Sequence, residues 1–318
     1  MTSTHLVHCG TARVAVHGFD ADVKDLLDAC RPWFTATTCP RRPPPGAWTV
    51  HLDPDPRGHA VSSRTGATVH LDPGHRTLHI PPPSPPAGNR PHIRLLRAVI
   101  RRQLAARGEV FLPAALVTVH GRGLALLGPT HTGKTSTLLS VLHHHRSHSQ
   151  FVANDDSSLH LRFGQVLGRG YPRAVEVRHE TLPHLGSAAE PLAAAAQPDG
   201  PDGALCLHPH DVATALGAGI AAATPLAALI VLGTISTQPT LTRLAPAEAA
   251  EVLTAHAEDA DPYETWLTPH LPAPRARRTQ LARLARAVPI WHLAQPLHAL
   301  PRSADLLAHL AAHPGGPQ

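Results

Sequence analysis

The stretch Leu124–Leu142, LALLGPTHTGKTSTLLSVL, holds one of the two lysines in a chain of 318 residues; the other is Lys24. Four apolar residues, Leu124 to Leu127, lead into Gly128-x-x-x-x-Gly133-Lys134-Thr135, and a helical pattern follows. This is a complete Walker A motif set between a strand and a helix, so the expected fold class is α/β with a P-loop. In such a loop glycines let backbone N–H groups turn inward around a β-phosphate, and the helix N-terminus faces the anion. Lys134 is expected to reach the β- and γ-phosphates and the Thr135 hydroxyl to ligate Mg²⁺. A guanidinium is too broad and planar for that point-charge role, which explains a lysine in an arginine-biased chain. The expected nucleotide-binding segment is Gly128, Pro129, Thr130, His131, Thr132, Gly133, Lys134, Thr135 and Ser136, with ATP and Mg²⁺ as ligands. Thr130 and His131 fill variable positions and carry no assigned role.

Working outward, Ala115–Val119 and Leu124–Leu127 flank His120-Gly121-Arg122-Gly123, a hairpin signal. Downstream, FVANDD (Phe151–Asp156) is a short apolar run ending in two carboxylates, with Asp155 lying 21 residues after Lys134. That spacing suits a helix, a turn and a return strand. Carboxylates at the end of such a strand can hold a metal and accept the proton of an attacking hydroxyl.

The hairpin, GPTHTGKTS and FVANDD together resemble the HPr kinase/phosphorylase family, which shares a fold with phosphoenolpyruvate carboxykinase. The helix PHIRLLRAVIRRQLAARG before the hairpin, GYPRAVEVRHETL after it and PLAALIVL further on follow in the order of that family. The resemblance covers about residues 92 to 300, and its specific parts are the P-loop and the Asp pair. It implies a kinase in which Lys134 and Thr135 take the nucleotide and Mg²⁺. Asp155 is then the general base, so Lys134 and Asp155 are the catalytic pair, and Asp156 is the metal-side carboxylate beside Thr135; the two Asp roles are interchangeable at this stage. The Gly-rich signature and later loop of the bacterial HPr kinases have no full counterpart, so neither HPr as acceptor nor phosphorolysis is implied. The acceptor implied is a Ser or Thr hydroxyl of a peptide or protein, such as a precursor peptide of a biosynthetic cluster. A nucleotide-binding regulator or NTP hydrolase is the rival reading, and an ABC-type ATPase lacks its signature and acidic strand end.

Three divisions are expected: a small α+β domain over residues 1–80, a Pro-rich linker over 81–91, and the P-loop domain over 92–318. In the first, Val23, Leu26, Leu27 and Cys30 recur at helical spacing behind Asp20 or Asp22 as a cap. WTVHLDP (Trp48–Pro54), ATVHLDP (Ala67–Pro73) and RTLHI read as a meander. PPPSPPAGNRP (Pro81–Pro91) suits a polyproline spacer. In the next helix Ile93, Leu96, Ile100 and Leu104 line one face, and the arginines are expected in solvent.

The net charge of +5 would allow nucleic-acid binding, but the arginines are scattered and 3% aromatic content leaves few stacking platforms, so no nucleic-acid partner is expected. Cys9, Cys30, Cys39 and Cys206 form no CxxC pair, and no signal peptide is read, so a reducing cytoplasm is expected. Val212–Ile235 is uncharged and long enough to span a bilayer, but its Ala, Gly and Thr content and Pro225 favour a loop or short helix followed by a buried parallel strand, hence no membrane. HHHRSH (His143–His148) reads as a solvated helix end, CLHPHD (Cys206–Asp211) as a loop and AEDADPYETW (Ala257–Trp266) as a mobile acidic loop. PRARRTQLARLARAVPIWHL (Pro274–Leu293) reads as an amphipathic helix, with Leu281 and Leu284 inward, leading to a strand. A homo-oligomer is compatible with the sequence.

Overall fold

The computed structural model describes residues 1–39, 43–44, 47–53, 59–62, 67–84, 88–196, 203–233, 236–258, 264–271 and 277–313. Its contacts divide the chain into two units, Met1–Glu109 with Asp259–Ala276, and Val110–Glu258 with Arg277–Gln318. The division does not coincide with the expected linker. The helix Arg90–Ala105 belongs to the first unit because its buried face packs on that unit's own sheet and helix.

In the first unit the strands are β1 (Thr2–Cys9), β2 (Ala12–Phe19), β3 (Thr35–Thr38), β4 (Trp48–Leu52), β5 (His59–Ser62), β6 (Thr68–Asp72) and β7 (Thr77–Ile80). Helices α1 (Asp20–Ala29) and α2 (Arg90–Ala105) accompany them. One sheet forms in the order β3-β1-β2-β4-β7-β6-β5. Alternation builds most of it: Val50, Leu52, Val69, Leu71, Leu78 and Ile80 are buried with more exposed residues between them, while in β2 Val14, Ala15 and Val16 are all buried. The expected meander is not formed, since β4 pairs in parallel with β7 while β6 lies outside β7. Parallel pairing puts the apolar sets of β4 and β7 on one face.

Two further differences concern α1 and α2. Phe19, not an Asp, is the N-cap of α1; Asp20 and Asp22 lie in the first turn, where they meet the positive helix end. On α2 the arginines expected in solvent are mostly covered: Arg97, Arg101 and Arg102 are buried, and Arg94 Nε donates to Glu264 Oε1 at 2.9 Å, while Arg90 at the helix start is exposed. Glu264 is buried and also accepts from Trp266 Nε1 at 2.8 Å, so the end of the expected acidic loop is a fixed ion pair. Residues 259–263 of that loop lie outside the described residues.

The second unit begins with β8 (Val110–Leu112), β9 (Ala115–Val119), β10 (Arg122–Leu127), α3 (Lys134–His144), β11 (Ser149–Ala153), β12 (Ser157–Arg162) and β13 (Gln165–Gly170). It continues with β14 (Val175–Val177), α4 (Ala189–Ala195), β15 (Leu205–Leu207), α5 (Pro209–Leu216), β16 (Gly219–Ile220) and β17 (Ala223–Leu232). Last come β18 (Thr240–Arg243), α6 (Pro246–His256), α7 (Arg277–Ala287), β19 (Ile290–Ala294) and α8 (Leu300–Ala312). The main sheet runs β16-β11-β9-β10-β17-β13-β12-β8, and β19 pairs with β17 and carries β18. Ala125, Leu127 and Leu229 join Leu253 of α6 and Leu281 and Leu284 of α7 in one core. The alternate residues Leu124 and Leu126 turn the other way, and both faces of β10 are dry.

The segment Cys206–Asp211 is not a loop. Cys206 is in β15, His208 caps α5 with Pro209 in its first turn, and Val212, Ala213 and Leu216 give that helix a buried face. Gly217, in the left-handed region, ends it, and β17 follows in parallel with β10 and β19. Among the described residues no helix is long and apolar enough to cross a membrane.

Candidate functional site

Strand β9 is antiparallel to β10 on one side and to β11 on the other, so β10 and β11 point the same way. Strand β17 is parallel to β10, and β19 to β17. Four strands therefore end at one edge of the sheet, delivering the glycine loop after β10, Asn154 and Asp155 after β11, Gly233 after β17 and Gln295 after β19.

The loop leaves β10 through Gly128 at φ +150, where a Cβ would stand 3.0 Å from the Leu232 carbonyl oxygen and 2.6 Å from Thr132 Oγ1. It enters α3 through Gly133, a left-handed N-cap at φ 91. Internal bonds hold its shape: Thr132 Oγ1 donates to the Pro129 carbonyl (2.8 Å) and Thr137 Oγ1 to the Gly133 carbonyl (2.9 Å). Gln295 Nε2 braces the helix from β19 by donating to Thr137 Oγ1 at 2.6 Å. A cavity of about 510 Å³ opens in front of the helix N-terminus. Thr130, His131, Gly133, Lys134, Thr135 and Ser136 line it, while Gly128, Pro129 and Thr132 form the frame of the loop.

Lys134 is buried, and its Nζ donates to the carbonyls of Gly128 (2.8 Å) and Pro129 (3.0 Å). The same ammonium stands 3.4 Å from Asp155 Oδ1. The expected pair is thus brought together, with Asp155 about a third exposed (34%) toward the cavity. The charge on Lys134 also reaches His256 at the end of α6, whose pKa lies below the usual range, first through burial and then through that ammonium.

Asp155 has left-handed backbone, φ 55, and Arg173 Nη1 donates to its carbonyl at 2.9 Å. A non-glycine residue in that region is uncommon and concentrates at working sites. The turn also separates the two carboxylates. Asp156, expected on the metal side, is 1% exposed and does not line the cavity. Asn154 takes the place beside the loop, its Oδ1 accepting from Thr135 Oγ1 at 3.0 Å.

Sequence reasoning passed over four charged residues in the wall, Arg173, Glu176, Arg178 and Glu180. Arg178 Nη2 donates to His131 Nε2 at 3.1 Å, which places that imidazole's proton on Nδ1, and Nη1 lies 3.4 Å from Glu180 Oε1. The local signal was Pro172, just past the end of β13, which cannot continue a ladder and begins a non-strand segment. Among the described residues no three His, Cys, Asp or Glu side chains form a metal-holding group.

No family model matches the chain, and no curated protein matches it. Among solved structures it is similar to the Hpr(Ser) kinase/phosphatase from Coxiella burnetii, with 14% sequence identity, 64% of this chain and 93% of that chain covered, and a TM-score of 0.32.

Proposed function

We propose that the chain is an ATP- and Mg²⁺-dependent phosphotransferase, HPr-kinase-like in its motifs, that moves the γ-phosphate to a Ser or Thr hydroxyl of a peptide or protein. The observation that carries this reading is the placement of the Asp155 carboxylate 3.4 Å from Lys134 at the mouth of a phosphate-type loop. A switch or hydrolase needs the loop, but a carboxylate beside the lysine and open to a cavity suits an acceptor hydroxyl. In the proposed step Asp155 accepts the hydroxyl proton as the new O–P bond forms and the bond to the ADP oxygen breaks. Lys134 holds the phosphate oxygens, and Arg173 and Arg178 add positive charge to the same cavity.

The donor set fits Mg²⁺: the Thr135 hydroxyl and Asn154 amide oxygen, held together by their hydrogen bond, are hard oxygen ligands next to Asp155. When bound, the ion neutralises charge on the phosphoryl group. Asp156 is not needed in this account. The reading places the chain in the cytoplasm, where ATP is supplied.

The test is transfer from labelled ATP to a peptide acceptor, with a precursor peptide encoded nearby as the first choice, and with free phosphate followed in parallel. Asp155→Asn should leave ATP affinity within a few fold and lower transfer by roughly 10²- to 10⁴-fold, the range for a positioned base. Wild-type transfer in that variant would remove the base assignment. Release of free phosphate alone with every acceptor would make the chain a hydrolase.

A further inference from the structure

In the first unit, four histidines stand in one row across four neighbouring strands. His17 of β2 is in register with His51 of β4, His51 with His79 of β7, and His79 with His70 of β6. The row crosses both parallel pairings of the sheet, β2 with β4 and β4 with β7. Ring centroids are 5.1 Å apart for His17 and His51, and 4.8 Å for His51 and His79, the latter stacked at 24°. All four lie on the face opposite the apolar core, partly covered.

Thr4 Oγ1 bonds His17 Nδ1 at 2.8 Å at one end of the row. Asp53 is the carboxylate near the middle, 3.6 Å from His79 Nδ1. His51 itself faces His79, His17 and, more weakly, Asp53. Stacked rings do not converge on a common point, so the row is not arranged as a metal site.

We propose that this row is an acid-sensitive seam, and that protonation along it opens the β2–β4–β7 pairing of the first unit. A second or third imidazolium in the row meets like charge at stacking distance, in a setting partly removed from water. Burial above all, then His79 and His17, pushes the His51 pKa down to about 4 against a weaker upward pull from Asp53. The sign follows. With the folded value below the unfolded 6.5, the unfolded chain binds more protons, so stability is full above about 6.5 and is lost as pH falls toward 4.

The experiment uses the full chain. Hydrogen exchange, corrected for intrinsic rates, follows amides of β4 and β7 from pH 7.5 to 5, and NMR follows the His51 ring proton. The His51 contribution alone raises the opening constant about 30-fold over that interval. His51→Gln should flatten the pH dependence by about that factor, and His70→Gln, at the row's end, by less. His51 should titrate near pH 4. If His51→Gln fails to fold, the wild-type titration decides alone. A His51 that titrates near 6.5, or a folded His51→Gln with the wild-type pH dependence, overturns the proposal.

Discussion

Lys134 is the residue on which the site turns, and its surroundings explain why arginine did not replace it. The ammonium sits 7% exposed, donating to two loop carbonyls at 2.8 and 3.0 Å with a carboxylate at 3.4 Å. The compact ammonium bonds two carbonyls and stands beside a carboxylate, each in a different direction. A guanidinium spreads its donors in a plane and would have to push the loop outward. ATP with Mg²⁺ at 100 times its Kd should stabilise the wild type by about 2.7 kcal/mol, read as a rise in Tm. Lys134→Ala should lose most of that shift while keeping its far-UV circular dichroism. Lys134→Arg should lose it too, although the charge is retained. An arginine variant with the wild-type shift would mean that charge alone suffices and that the fit of the ammonium to the carbonyls is incidental.

The element that matters is the unit of β10, the loop and α3, which can be built in one way only. Gly128 packs against the Leu232 carbonyl at the end of β17, so the loop is locked to the neighbouring parallel strand. Gly128→Ala places a methyl group 3.0 Å from that oxygen at a backbone angle alanine rarely adopts. It should cost roughly 1–3 kcal/mol of stability and remove the nucleotide-induced rise in Tm. A stable variant with an unchanged rise would show that the loop can re-form elsewhere. This element was legible in the sequence because each of its parts is local: an apolar run, fixed glycines, then a helical pattern. Other features were not local. Arg94 and Arg102 bond Glu264, far along the chain, and helical spacing is silent about such a partner. The parallel pairing of β4 with β7 likewise depends on the β5–β6 hairpin passing outside, which no strand signature announces. Separation of Asp155 from Asp156 hangs on one left-handed residue, and Asp is only mildly biased toward that region.

The whole molecule carries a lopsided reserve of charge. Lys and Arg number 28, Asp and Glu 23, and 26 histidines stand behind a net charge of +5 with His neutral. Below about pH 6.5 histidines as a class take up protons, so acid makes the chain strongly cationic and self-repelling. That repulsion is long-ranged and screened by salt, with a Debye length of about 10 Å at 0.1 M and about 3 Å at 1 M. The histidine row responds to something else as well. His51 refuses its proton first because of burial, and salt does not return water to a covered ring. The two causes separate when acid unfolding is followed by hydrogen exchange at 0.05 and 1 M NaCl. High salt should move the loss of protection in β9 and β10 to lower pH, because it screens the net charge acting there. Amides of β4 should keep most of their acid sensitivity in 1 M salt. Equal rescue of both sets would mean that the row feels the general field rather than its own burial. If neither set responds, net charge is not what limits this protein in acid.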